Sequence, residues 1–202
     1  MKFYLRMIVA AILSTSLSSC IVPEKIETRI RYFGEKAPSQ ITCIWHNISS
    51  TAENDEDLKK DFDDFIEDLE DSSTTTELSI GSETKIIVQS WHAYVEYGKL
   101  NLKMIAVPAG DKLEDLSANG ERMIVLEKEE GNEFVETNGK LLETEENYII
   151  VWPERLAEIY WIVSGPKETS EEKNSELQEL ARQNHLELIK MFEAYQEKKR
   201  RR

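Results

Sequence analysis

The sequence predicts an α+β domain: a single antiparallel, β-rich body with one covering helix at about 54–70 and a long C-terminal helix at about 170–197. Three observations lead there. Apolar and polar residues alternate with period two over many short stretches between residues 25 and 164, the mark of half-buried strands. The links between those stretches are short, whereas parallel neighbours need crossovers of a dozen residues or more. Two segments switch to a period near 3.6, one of them densely acidic and the other ending in a run of cations.

The elements follow in order. Ile26, Thr28, Ile30 and Tyr32 alternate with Glu27, Arg29 and Arg31, so 25–33 reads as a strand, and 34–39 as a turn. Residues 41–48 form a second strand with Ile41, Cys43 and Trp45 on one face and Thr42, Ile44, His46 and Ile48 on the other. In the helix at 54–70, Leu58, Phe62, Phe65, Ile66 and Leu69 make one stripe. Asn54 is its expected cap, Asp55, Glu56 and Asp57 suit the positive end of its dipole, and Asp61 is placed on the outer face. Leu78 and Ile80 begin a strand. In 84–96, Trp91, Ala93, Val95 and Tyr97 alternate with Ser90, His92, Tyr94 and Glu96.

A Gly98-Lys99 turn leads to a strand at 100–107, ended by Pro108, and 111–117 reads as a helical turn. Further strands are expected at 123–127, 148–152 and 159–163, with turns at 130–132 and at Asn138-Gly139, the dipeptide suited to a two-residue hairpin. The linker 154–158 reads as a helical turn. Thr169 and Glu172 form a capping box for the last helix. That helix carries Leu177, Leu180, Ala181, Leu188, Met191, Phe192 and Tyr195 on a broad stripe, interrupted at Asn184-His185.

Composition narrows the function classes. Hydrophobic residues are 40% of the 202, enough for a core, and 25 Lys and Arg face 39 Asp and Glu for a net charge of −14. A nucleic-acid binder needs cations to neutralise phosphates, so no nucleic acid is expected as a partner. Two cysteines cannot make a disulfide scaffold.

Residues 1–20 differ from the rest. Lys2 and Arg6 open the chain, 7–13 is a short apolar run, 14–19 are mostly small, and no acid occurs before Glu24. This is the order of a secretory signal peptide, and the apolar run is far short of the ~20 residues of a spanning helix. The segment closes with Leu17-Ser18-Ser19-Cys20, which resembles the lipobox of bacterial lipoproteins, with Leu three places before a Cys and small residues between. The resemblance covers residues 1–20 only.

It implies cleavage after Ser19, a diacylglycerol thioether on Cys20 and acylation of the new amino terminus. It also implies attachment to a cell-envelope membrane through that lipid, in the outer membrane if the source is Gram-negative, since residue 21 is Ile and not Asp. The alternative is an ordinary signal peptide with Cys20 free to pair with Cys43. The expected organisation is a signal at 1–20, a tether at 21–24, a β-rich domain at 25–165 and a helix with a basic tail at 166–202. Processing leaves a formal charge of −16, because Lys2 and Arg6 are lost with the signal. No apolar run beyond residue 20 is long enough to cross a bilayer.

The chain offers no catalytic constellation. His46, His92 and His185 are scattered, and none has a second His or Cys at ligand spacing on its own element, so no metal site is expected. The acidic stretch 53–71 lacks the calcium-loop pattern of a central Gly and a twelfth-position Glu. There is no G-x-S-x-G elbow and no Gly-rich phosphate loop, and Cys43 reads as packing. No cofactor is expected. Trp91, Tyr94, Tyr97, Trp152, Tyr160 and Trp161 are core candidates or a ligand platform; since Tyr160 and Trp161 are neighbours in one strand, one of them must leave the core face. The tail Lys198-Lys199-Arg200-Arg201-Arg202 either complements the helix dipole or meets an anionic surface.

The expectation is a lipid-anchored exported protein that binds a protein or envelope partner, or supports envelope structure, without enzymatic activity. A hydrolase or carbohydrate-processing enzyme with a site assembled from distant residues, such as His46 or His92 beside a carboxylate, is the alternative. Docking of the terminal helix into a larger assembly is a third.

Overall fold

A computed structural model describes residues 21–33, 39–71, 76–80, 84–108, 120–128, 133–165 and 171–201. The elements are β1 (Ile21–Val22), β2 (Lys25–Arg31), β3 (Gln40–His46), β4 (Ser49–Ser50), α1 (Asp55–Asp71), β5 (Thr76–Ile80), β6 (Thr84–Glu96), β7 (Lys99–Pro108), β8 (Glu121–Glu127), β9 (Phe134–Thr137), β10 (Lys140–Glu143), β11 (Asn147–Pro153), β12 (Glu158–Ser164) and α2 (Glu171–Arg200). Cys20, the helical turn expected over 111–117, the turn at 130–132 and the capping residue Thr169 lie outside the described residues.

Among the described residues the strands form three sheets, and every pairing is antiparallel. The largest runs β5-β6-β7-β3-β2-β12-β9, a second runs β10-β11-β8, and β1 pairs with β4. The fold is therefore α+β, as the alternation and the short links predict.

Period two sets the faces of the large sheet. Ile26, Thr28 and Ile30 lie opposite Trp45, Cys43 and Ile41 on β3, and these in turn oppose Leu102, Met104 and Ala106 on β7. All nine are buried. A bulge between Val88 and Ser90 lets β6 keep this face. Ile86 and Val88 point inward at even positions, and after the extra residue Ala93 does so at an odd one.

On that face the helices add Leu58, Phe62 and Phe65 from α1 and Leu188, Ile189 and Phe192 from α2 to the same apolar cluster. The three-stranded sheet joins it at the other end, with Trp152 against Trp161 at 6.1 Å and Phe134 against Tyr148 at 5.4 Å between ring centroids. The terminal helix is thus part of the one core and not a separate projection.

Several local expectations change. Residues 21–24 are no tether: β1 pairs Ile21 with Ser50 and Val22 with Ser49, Ile21 is buried, and the Glu24 amide donates to the His46 carbonyl. Asn138-Gly139 does not join paired strands, because β9 pairs with β12 and β10 with β11. The dipeptide instead carries the chain from one sheet to the other. A Cβ on Gly139 would lie 2.5 Å from Trp152 Nε1, so the requirement there is space.

The β6–β7 turn is Tyr97-Gly98, one residue earlier than expected, with φ of 50° and 70°. Both values are left-handed, which fits the twist of a two-residue hairpin. The linker 154–157 is a turn without helix.

α1 begins where expected: Asn54 Oδ1 accepts from the Asp57 amide at 2.9 Å. Asp61, however, faces inward and is buried, accepting a 2.6 Å hydrogen bond from Ser50 Oγ. It lies three residues after Leu58, at the margin of the apolar stripe, where a polar residue is held if a partner meets it.

Candidate functional site

The face of the large sheet opposite the core carries a connected polar constellation. Across it, Ile162, Glu27, Ile44, Lys103 and His92 stand in one row, and Tyr160, Arg29, Thr42, Ile105 and Ser90 in the next. Most of these side chains are partly exposed, but Glu27 is 6% exposed.

Glu27 is shielded by the groups it binds. His46 Nε2 lies 2.9 Å from Glu27 Oε2, and Arg29 Nε donates to Glu27 Oε1. Arg29 also reaches Glu158 Oε1 at 3.2 Å, and Arg31 Nε donates to Glu158 Oε2 at 2.9 Å. The result is a continuous chain, His46–Glu27–Arg29–Glu158–Arg31, across β3, β2 and β12. The Arg29 guanidinium lies 5.2 Å from the centre of the Tyr160 ring, and the Tyr160 hydroxyl donates to Glu136 at 2.7 Å.

The charges follow from this packing. The His46 hydrogen bond, with help from Arg29, holds the Glu27 carboxyl below the usual value of 4.5 in spite of its burial. Burial works against the Arg29 cation, but Glu27 and Glu158 more than offset it, and its pKa rises. Tyr94, whose ring stacks on His92 at 5.8 Å, is held protonated by partial burial and by the carboxylates of Glu96 and Glu27. Such a face can offer a carboxylate acceptor, imidazole and guanidinium donors, and two aromatic surfaces.

The aromatic residues named from the sequence divide cleanly. Trp161 and Trp152 are fully buried, and Trp91 lies 5.4 Å from Trp45 against the core. Tyr160 and Tyr94 stand on the polar face, and Tyr97 is 95% exposed at the hairpin tip. His46 and His92 share the polar face; His185 is elsewhere, its Nε2 2.9 Å from the Gly98 carbonyl oxygen.

Cys43 is buried beside Thr28 Oγ1, and burial pushes its thiol up to about 12. Among the described residues no three His, Cys, Asp or Glu gather as a metal-holding set. The basic tail is mostly helical to Arg200, and Lys199 Nζ lies 3.8 Å from Glu70 Oε1 on α1.

Glu27 itself escapes sequence reasoning. At an odd position among Arg29 and Arg31 it reads as a solvated acid, and only the register that brings His46 alongside makes it a buried centre.

No family model, no curated protein and no solved structure matches this chain.

Proposed function

We propose that the chain is an exported bacterial lipoprotein, cleaved after Ser19 and lipid-modified on Cys20. Its domain then presents the Glu27–Arg29–His46–Tyr160 face to a protein or envelope partner. The observation that carries this reading is Leu17-Ser18-Ser19-Cys20 at the end of a signal-like segment. Two facts support it: Ile21, the residue after the modified cysteine, already belongs to β1, and Cys43, the other candidate partner for Cys20, is buried. Several acyl chains give stable attachment where one is marginal, at about 0.8 kcal/mol per buried CH₂.

Metabolic labelling with palmitate and a Cys20→Ala variant test it. The expected results are label on the wild type, none on the variant, and unprocessed or released variant protein. Normal processing and membrane retention of Cys20→Ala overturn it.

A second reading, an envelope hydrolase, is favoured by the 2.9 Å Glu27–His46 pair, which has the form of an acid–base couple. It predicts hydrolysis of envelope polymers that disappears in His46→Ala. Binding without turnover rejects it.

A further inference from the structure

We propose that the end of the domain formed by the Tyr97-Gly98 turn and the facing turn of α2 rests on the phospholipid interface, with Tyr97 and Leu186 as its points of contact. This rests on the lipid-anchor reading above.

The first argument is the lack of slack. Cys20 is one peptide bond from Ile21, and consecutive Cα atoms are about 3.8 Å apart. Ile21 is 5% exposed and fixed to Ser50, so an acyl group on Cys20 leaves no free linker between bilayer and fold. Whatever surrounds β1 must face the headgroups.

The second argument is what surrounds it. Ser49 Oγ donates to the Ala181 carbonyl on α2, and Asn184 Nδ2 donates to the Ser50 carbonyl at 3.0 Å. One residue on, His185 meets Gly98 of the β6–β7 turn. From Ala181 to His185 is about 6 Å of helix axis. Glu24, three residues after Ile21, joins the same end by its 3.2 Å contact with Lys99. β1, the turn of α2 and the hairpin tip are therefore one patch.

The third argument is the chemistry of that patch. Residues on either side of the His185–Gly98 contact are apolar and open: Tyr97 is 95% exposed and Leu186 63%. Tyr97 occupies the first left-handed position of a two-residue turn, where Asn, Asp or Gly fits the backbone better. A tyrosine there has the amphipathic ring that settles at headgroup depth. The nearby cations Lys99 and Arg182 are engaged by Glu24 and Glu179, so the patch suits a zwitterionic surface and not an anionic one.

The test uses the full-length lipidated protein in phosphatidylcholine vesicles, carrying Tyr97→Cys, Leu186→Cys or Val135→Cys labelled with an environment-sensitive fluorophore. Cys43 is buried and Cys20 is blocked, so the label is specific. Val135, 43% exposed, is on β9 at the far edge of the sheet, five strand spacings or about 24 Å from β6.

The expected result is a blue shift and quenching by nitroxide-bearing lipid at 97 and 186 but not at 135. Adding Tyr97→Asn to the 186-labelled protein should reduce the quenching there while leaving thermal stability undiminished. Vesicle-bound protein with 97 and 186 as water-exposed as 135 overturns the contact alone. A blue shift without vesicles points to a second copy and also overturns it. Protein that carries no lipid and stays off the vesicles overturns the anchor reading and this one together.

Discussion

Glu27 and His46 meet at 2.9 Å from adjacent strands, on the face of the sheet that points away from the core. Their contact, with Arg29, turns a carboxylate that is nearly buried into a stable anion. The folded-state pKa of Glu27 is depressed below 4.5, so its stabilising contribution is fully present above that pH. It is lost as pH falls through the depressed value. Glu27→Gln should lower stability at pH 7 by about 1–2 kcal/mol. It should also flatten the loss of stability below pH 4.5 in denaturant titrations. An unchanged acid limb in the variant would assign that limb to other carboxylates.

The Asn138 side chain joins the two larger sheets. Its Oδ1 accepts from Trp152 Nε1 at 2.8 Å and from the Tyr160 amide at 2.9 Å, and its Nδ2 donates to the Glu158 carbonyl at 3.0 Å. Asn138→Ala leaves the indole N–H of a fully buried tryptophan unpaired, at a cost of about 1–3 kcal/mol. In a Trp152→Phe background that part of the cost vanishes. The double-mutant cycle should therefore show a coupling of about 1 kcal/mol. Additive effects would mean that Trp152 finds another acceptor.

These two sites show which parts of the fold were legible. Strand alternation is local, so Ile26, Cys43 and Trp45 are readable as packed positions, and adjacency says that Tyr160 and Trp161 part to opposite faces but not that Trp161 is the buried one. The stripe and cap of α1 are equally local. What failed depends on pairing between distant segments. Asn138-Gly139 has hairpin chemistry, but nothing local says that β9 and β10 join different sheets. Asp61 looks solvated until Ser50 is placed against it. The sequence cannot say that residues 21–24 enter the sheet, because their partners are the two residues of β4, too short to read as a strand.

Tyr97 carries a conformational cost that a different residue removes. At φ 50° its Cβ crowds the backbone, whereas Asn tolerates that region. Its ring is almost fully exposed, so no packing is lost on substitution. Tyr97→Asn should raise stability by about 0.5–1 kcal/mol, read as a higher denaturation midpoint at unchanged slope. A lower midpoint would show that the tyrosine packs in solution.

Cys43 should be inert in the native state. It is 2% exposed in mid-sheet, between Thr28 and Met104, and its thiol is pushed up to about 12. Thiolate is the reactive form, so alkylation at pH 8 should proceed only through unfolding. Its rate should rise with the population of the unfolded state as denaturant is raised. Rapid modification in buffer would place the thiol in a solvent-accessible opening of the β2–β3–β7 region.

Asn184 interrupts the apolar stripe of α2, and the interruption is a joint, not a gap in packing. Its amide donates to two carbonyls, Ser50 at 3.0 Å and Ala52 at 2.8 Å, and Ser50 in turn donates to Asp61 on α1. One side chain therefore ties α2 to the segment that also receives β1 and α1. Removing it leaves two carbonyls without that donor, so Asn184→Ala should cost about 1–3 kcal/mol. The neighbouring Leu186→Ala, exposed and outside the joint, should stay within about 0.5 kcal/mol. Hydrogen exchange locates the effect: amides of the 180–187 turns should lose protection in Asn184→Ala, while those around buried Leu188 and Phe192 keep theirs. A uniform loss along all of α2 would show that the helix is released as one unit and that the apolar contacts beyond residue 187 do not hold it alone.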